Sequence, residues 1–416
     1  MVARSSRELA LAALRGWRTG DGFADATLAG LLRSSDLTAP DRAFTTELFY
    51  GILRNLSLLD FWIDSLRSQS LDPNARDLLR LGLYQLFLIK TPEHAAVYET
   101  VELASERTRP LVNAVLRNAQ RRKEELLASA SKQEMTVRSS HPRFLIDRWK
   151  ESFGPDHTAA LCEWNNRPAP IYARINCLKT SVTEFLSQHS EVEQLPEREN
   201  FVRLTSVPND ALAAGQCYIQ DPSTAAACLL LDPQPGENVL DACAAPGGKT
   251  GYLAELMKNQ GVLLACDRDE GRIRTLEDNL ERLGVGIARF ARHDWTSDEP
   301  APDIVAMAPF DRILVDAPCS NTGVMRRRVD LRWRLNPKDF GRMQEEQLRI
   351  LRATIPFLKT GGVLVYSTCS IEREENEEVV ALITREFPFL ELTGQASLLP
   401  FRDGFDGAFG AKLVRK

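Results

Sequence analysis

With 416 residues, 44% of them hydrophobic and 26% charged, and a net charge of −5, the chain is too long for one hydrophobic core and too ordinary in composition for a disordered or fibrous protein. No apolar run reaches the roughly 18 residues of a membrane helix, and the start of the chain, with Arg4, Arg7 and Glu8, lacks a signal peptide's apolar core, so a cytoplasmic protein without membrane contact is expected, and nothing in the sequence demands more than a monomer. Eight scattered cysteines with no C-x-x-C pair argue against a disulfide framework and against a bound metal, so any special cysteine is special as a thiol.

From residue 5 to about 130 the pattern is helical, with apolar residues at three- and four-residue steps such as Leu79, Leu83 and Leu86. The stretches 36–41 and 71–73 read as helix starts, where Asp or Ser caps free N–H groups. The segments Ala43-Phe-Thr-Thr-Glu-Leu-Phe-Tyr-Gly-Ile-Leu-Arg54, Gly82-Leu-Tyr-Gln-Leu86 and Val112-Asn-Ala-Val-Leu-Arg117 resemble the NusB-like RNA-binding domain, in the right order. That resemblance implies an all-α domain over residues 1–133 whose Arg and Lys side chains track RNA phosphates without reading sequence. Negative net charge does not forbid this, because phosphate binding depends on where basic residues cluster.

Residues 131–140 are polar and read as a linker. A small α+β (RRM-like) domain is expected over 134–215, with a helix near 144–153, a strand at 171–175, a helix at 182–189 and a strand near 201–204. Within it Arg174, Asn176 and Lys179 resemble the R-x-N-x-x-K signature that precedes the catalytic domain in RNA cytosine methyltransferases. The resemblance implies RNA contacts for these three.

Over 216–416 apolar strands alternate with amphipathic helices, which predicts a mostly parallel, Rossmann-like sheet covered on both faces. The run Asn238-Val-Leu-Asp-Ala-Cys-Ala-Ala-Pro-Gly-Gly-Lys-Thr250 reads as strand, glycine turn and helix, the ligand corner of such a sheet. A P-loop needs glycine where Cys243 stands, and the dinucleotide pattern G-x-G-x-x-G is absent, so the turn suits an adenosyl ligand without pyrophosphate. Further strands are expected at 262–266, 288–291, 312–315, 363–366 and 411–414, with helices whose faces carry Ile273, Leu276, Leu280 and Leu283, then Leu348, Leu351, Ile355 and Leu358, and a last helix at 376–385.

Ligands in these sheets bind at the carboxyl ends of strands. Asp267 ends the second strand, where a carboxylate accepts hydrogen bonds from ribose hydroxyls, and Asp294 ends the third, where it could hold an adenine amino group. Asp316-Ala-Pro-Cys319 ends the fourth and Ser367-Thr-Cys369 the next, so two thiols and a carboxylate converge at neighbouring strand mouths.

The motifs Asp241-Ala-Cys-Ala-Ala-Pro-Gly-Gly-Lys249, Asp316-Ala-Pro-Cys-Ser-Asn-Thr-Gly-Val324 and Ser367-Thr-Cys-Ser-Ile-Glu-Arg-Glu-Glu-Asn376 resemble the RNA 5-methylcytosine methyltransferases. Together with the NusB-like segments they resemble the RsmB/Sun (Fmu) family, 16S ribosomal RNA (cytosine-C5) methyltransferases that use S-adenosylmethionine and act at cytosine 967. The resemblance implies that Cys369 is the nucleophile, that Cys319 assists release, and that Asp316 supports the pyrimidine. It implies that Cys243, Ala244, Ala245, Pro246, Gly247, Gly248 and Lys249 wrap the cofactor, with Asp267, Asp294 and Asp316 beside it. Arg326, Arg327 and Arg328 read as a phosphate clamp for a base flipped out of its stack. The family usually has His-Pro before the next aspartate; this chain has Arg328-Val329 before Asp330. Two other readings are the same chemistry on tRNA or another ribosomal cytosine, and an RNA-binding assembly factor with an inert sheet.

Overall fold

The computed structural model describes residues 5–20, 22–297 and 299–416; Arg4, used above in reading the start of the chain, lies outside them. It divides into two compact units. One comprises the chain up to Pro168 together with Met325–Leu335, the other Ala169–Val324 together with Asn336–Lys416.

The first unit is helical. Three of its helices begin at a side-chain cap: the Ser5 hydroxyl accepts from Glu8 N–H ahead of Ser6–Thr19, Thr38 from Asp41 N–H ahead of Ala39–Arg54, and Asp72 from Asn74 and Ala75 N–H ahead of Pro73–Phe87. Leu79, Leu83 and Leu86 turn inward onto a core that includes Phe49, Trp62 and Leu116. The expected linker at 131–140 is instead packed structure. A short helix, Met135–Arg138, is followed by fully covered Ser140, whose hydroxyl accepts from Leu58 N–H at 3.1 Å. A polar run reads as a linker when the backbone group that satisfies it is remote in sequence. The next helix, Arg143–Asn166, is interrupted at Gly154 (φ +81°), ahead of Pro155, which ends the predicted helix near 153.

Met325–Leu335 returns to this unit as a strap. Val329 enters the helical core, Asp330 Oδ2 accepts from Trp17 Nε1 (3.1 Å), Ala24 N (2.9 Å) and Arg334 Nε (3.1 Å), and Trp333 Nε1 donates to the Leu53 carbonyl (2.9 Å). The Arg328-Val329 pair thus puts an apolar side chain where that core needs one.

The second unit holds two sheets. The smaller is antiparallel, with order β2-β3-β1-β4, from β1 (Ile171–Ile175), β2 (Glu193–Leu195), β3 (Arg198–Leu204) and β4 (Cys217–Ile219). The larger contains β5 (Asn238–Asp241), β6 (Val262–Asp267), β7 (Ala288–Arg292), β8 (Phe310–Asp316), β9 (Leu358–Thr368), β10 (Leu390–Leu398) and β11 (Ala408–Arg415) in the order β10-β11-β9-β8-β5-β6-β7. Strands β5 to β9 pair in parallel, and β11 and β10 add an antiparallel edge. Alternate residues supply opposite faces: Leu240, Leu264, Val315 and Tyr366 one core, Val239, Leu263, Leu314 and Val365 the other. This is the Rossmann-like sheet the pattern predicts.

Two local differences have physical causes. Strand β10 escapes the alternation test because a bulge between Leu392 and Gly394 shifts its register. Leu358, expected on the helix of Leu348 and Leu351, opens β9, because Pro356 follows the helix end at Thr354.

Strand order reverses at β5, between β6 and β8. Grooves at the carboxyl ends of strands open at such a reversal.

Candidate active site

The glycine turn sits at this reversal point. Gly247 adopts φ +105°, a conformation costly for a residue with a Cβ, and heads the helix Gly248–Leu256. A Cβ on Gly247 would lie 2.9 Å from Leu276 Cδ1, and one on Gly248 2.8 Å from Tyr218 Cε1. The glycines therefore also let protein pack against the turn, a use that the ligand-approach reading of the sequence omits. Helix Glu270–Leu283 braces it from outside, through Arg272 Nη2 to the Ala245 carbonyl (2.7 Å) and Asn279 Nδ2 to the Pro246 carbonyl (2.9 Å). Inside, Thr250 Oγ1 donates to Asp241 Oδ2 at 2.8 Å. Burial pushes the Asp241 carboxyl up to about 7. Ala244 and Ala245 are covered, and burial raises the Cys243 thiol well above its ordinary range.

Lys249 leaves the turn toward β8, its Nζ 2.6 Å from Asp316 Oδ2, while Asp316 Oδ1 accepts from Ser367 Oγ at 2.7 Å. Asp316 and Ser367 are register partners in parallel β8 and β9, so sheet pairing aligns the loops that follow them. Cys319 Sγ and Cys369 Sγ stand 3.3 Å apart. Cys369 Sγ also donates to Asn321 Oδ1 at 3.0 Å, and Asn321 Nδ2 donates to the Cys319 carbonyl at 2.8 Å. The hydrogen bond with Cys369, then burial, holds the Cys319 thiol well above its ordinary range. Cys319 thus carries its proton at neutral pH. A cleft is lined by Lys249, Asp316, Ser367, Thr368 and Cys369 together with Asp221, Ser223 and Asp406.

Asp267 ends β6 as expected. It is 3% exposed, accepts from Asp269 N–H at 3.1 Å and lies 3.3 Å from Arg272. Asp294 is exposed and its Oδ1 binds Thr296 N–H (2.9 Å) and Oγ1 (2.7 Å), which lowers its carboxyl below the usual range.

The expected RNA contacts divide. Arg174 is fully buried: it pairs with Glu255, donates to Gln220 Oε1 (3.0 Å) and the Gly248 carbonyl (3.3 Å), and lies over the Tyr252 ring. Asn176, also fully buried, donates to the carbonyls of Gly215 (2.7 Å) and Leu283 (2.8 Å). This corrects the reading of both as RNA contacts, since they are turned inward and dock the small sheet onto the glycine-turn helices. Lys179 is exposed. The clamp of three arginines is corrected in part. Arg326 lies inside the helical unit, donating to the carbonyls of Arg167 (3.2 Å) and Pro168 (2.6 Å) over the Trp164 ring, whereas Arg327 is half-buried and Arg328 exposed. An interior arginine and a surface arginine look alike in a sequence, because burial depends on distant carbonyl partners.

The sequence alone does not single out Asn321, Ser367 or Glu375 as site residues. Each lies within a quoted motif, and nothing in the spacing singles it out.

Comparison with known proteins adds three family matches: NusB family over residues 4–121, an RsmF/B-like ferredoxin-like methyltransferase domain over 141–201, and 16S rRNA methyltransferase RsmB/F over 228–413. Bacillus subtilis (strain 168) has a relative named "Probable ribosomal RNA small subunit methyltransferase B", 35% identical with 100% of both chains covered. The ribosomal RNA small subunit methyltransferase B of Klebsiella pneumoniae is 38% identical, with 90% of each covered. The crystal structure of a methyltransferase homologue from Pyrococcus horikoshii superposes with a TM-score of 0.60 at 30% identity, covering 68% of this chain and 97% of that one.

Proposed function

We propose, from the premise that this chain belongs to the ribosomal RNA small subunit methyltransferase B (RsmB/Sun) family, that it methylates carbon 5 of a cytosine in 16S ribosomal RNA, at position 967, through a covalent bond from Cys369 to carbon 6. The observation that carries this reading is the contact between Cys319 and Cys369, 3.3 Å apart, beside Asp316.

Carbon 5 of cytosine is a weak nucleophile. Addition of the Cys369 thiolate to carbon 6, with Asp316 holding the N3 side of the ring, turns carbon 5 into an enamine carbon able to take a methyl group. Loss of the carbon 5 proton then lets the carbon–sulfur bond break, and the electron pair returns to Cys369. Cys319, kept protonated beside Cys369, supplies a hydrogen bond to that departing sulfur. Ser367 and Lys249 hold Asp316 from two sides.

When bound, S-adenosylmethionine supplies the electrophilic methyl group. The residues fit it: Asp267 makes two contacts and has lone pairs left for ribose hydroxyls, and the glycine turn opens a helix at the strand-order reversal. Cys243, Ala244, Ala245, Pro246, Gly247, Gly248 and Lys249 would line this group, with Asp267, Asp294 and Asp316 at its edges. Exposed Lys179 and Arg328 remain phosphate candidates. No described helix is long and apolar enough to cross a membrane, and a cytoplasmic monomer acting on RNA is part of the proposal.

The test is incubation with labelled S-adenosylmethionine and unmodified 16S ribosomal RNA, followed by mapping of 5-methylcytosine at nucleotide resolution. A single label at cytosine 967 is expected. Label only on tRNA or another ribosomal cytosine would overturn the target, and no label with RNA still bound would overturn the enzyme reading.

A further inference from the structure

We propose that Glu375 is a positioning residue of this site: its buried carboxylate pins the loop carrying Cys319 to the loop carrying Cys369 and thereby sets the contact between the two thiols. The inference rests on the covalent-thiol reading above.

Four donors converge on the carboxylate. Oε2 accepts from Ser320 N (2.8 Å) and Gln347 Nε2 (3.0 Å), and Oε1 accepts from Ser370 Oγ (2.8 Å) and Ser320 Oγ. Ser320 directly follows Cys319 and Ser370 directly follows Cys369, so one side chain grips the residue next to each thiol. Gln347, on helix Pro337–Thr354, also donates to the carbonyl of Pro318 at 2.9 Å, so Cys319 is held on both sides.

A role as proton acceptor does not fit. A carboxylate has about four lone-pair sites, and these are taken. Nor is the arrangement the cheapest way to fill the space. All four donors belong to neutral groups, and burying a carboxylate against neutral partners costs more than burying an apolar side chain of the same size. Burial accordingly raises the Glu375 carboxyl, and the hydrogen bonds oppose the rise. The return is geometric. Backbone contacts such as Gly323 N–H to the Cys369 carbonyl (3.0 Å) bring the loops together, and the carboxylate adds a tie beside each thiol. A reacting group misplaced by about 1 Å costs on the order of a hundredfold in rate.

The test uses the full chain with Glu375→Gln, Ser320→Ala and Ser370→Ala. Turnover on 16S ribosomal RNA is measured beside S-adenosylmethionine affinity, melting temperature, and the rates at which iodoacetamide alkylates Cys369 and Cys319 in the free enzyme, resolved by mass spectrometry. Glu375→Gln should lower kcat about tenfold or more, leave KM for RNA and cofactor affinity within about twofold, and change the ratio of the two alkylation rates. The two serine variants should move the same quantities in the same direction, and they carry the test if Glu375→Gln does not fold. The inference is overturned if kcat and the alkylation ratio stay at wild-type values in all folded variants. It is equally overturned if turnover falls only in step with cofactor affinity and melting temperature. Failure of the wild-type enzyme to methylate any RNA would strike the covalent-thiol reading instead, while the alkylation ratio in free enzyme reads the clamp separately.

Discussion

Lys249 Nζ lies 2.6 Å from Asp316 Oδ2, which joins the glycine turn to the mouth of β8. Burial works against the ammonium charge, but the charge and hydrogen bond of Asp316 outweigh it and raise the Lys249 pKa above its ordinary value. Lys249 on one oxygen and Ser367 on the other fix the direction of the Asp316 carboxyl group.

Lys249→Met should leave Asp316 without its cation and lower kcat/KM by about two orders of magnitude. Single-turnover methylation checks this. A variant with normal turnover would show that Ser367 alone suffices to hold Asp316.

The two cysteines should fail in different ways. Cys369→Ala should abolish both turnover and the covalent protein–RNA complex, with cofactor affinity nearly unchanged. Cys319→Ala should accumulate that complex, because the sulfur leaving carbon 6 loses its hydrogen-bond partner. Denaturing gels of enzyme with labelled RNA separate the cases, and normal turnover by Cys369→Ala would remove it as nucleophile.

Asp330→Ala should destabilise the helical unit. It leaves Trp17 Nε1 and Ala24 N–H without this acceptor and removes the carboxylate beside Arg334, at a site that is 3% exposed, a loss of about 3 kcal/mol. Urea unfolding followed by tryptophan fluorescence measures it, and a shift of the midpoint within error would mean that Val329 and Trp333 alone hold the strap.

Asp241 should make stability depend on pH in a direction unusual for a carboxylate. Its folded pKa of about 7 lies above the ordinary 3.8, so between those values the native state binds more protons than the unfolded chain. Its contribution is fully present below the lower value and is lost as pH rises through about 7. The melting temperature of Asp241→Asn relative to wild type should therefore climb between about pH 4.5, near the lower end of that interval, and about pH 7.5, just above its upper end. A constant difference would place the folded pKa at its ordinary value.

Much of the fold is legible locally. Caps at Ser5, Thr38 and Asp72 and the apolar spacing of Leu79, Leu83 and Leu86 mark helices, and buried runs such as Ile313-Leu314-Val315 mark parallel strands, because hydrophobic period and capping are short-range properties. The site is half legible. Motif spacing brings Asp316, Cys319 and Cys369 to strand ends, and parallel pairing of β8 with β9 is enough to make them neighbours.

What the chain's order of residues determined, then, is the sheet, the turn and the two thiols at its edge. Tertiary structure alone decided which polar groups face inward. Arg174, Asn176 and Arg326 look like surface cations and amides in the sequence, yet each is consumed by carbonyls or carboxylates far away along the chain. Glu375 looks like one acidic residue in a charged run, yet it lies between both thiol loops. The physical reason is the same for all four: a polar side chain is stable inside only where partners meet it, and those partners come from remote segments that folding brings together.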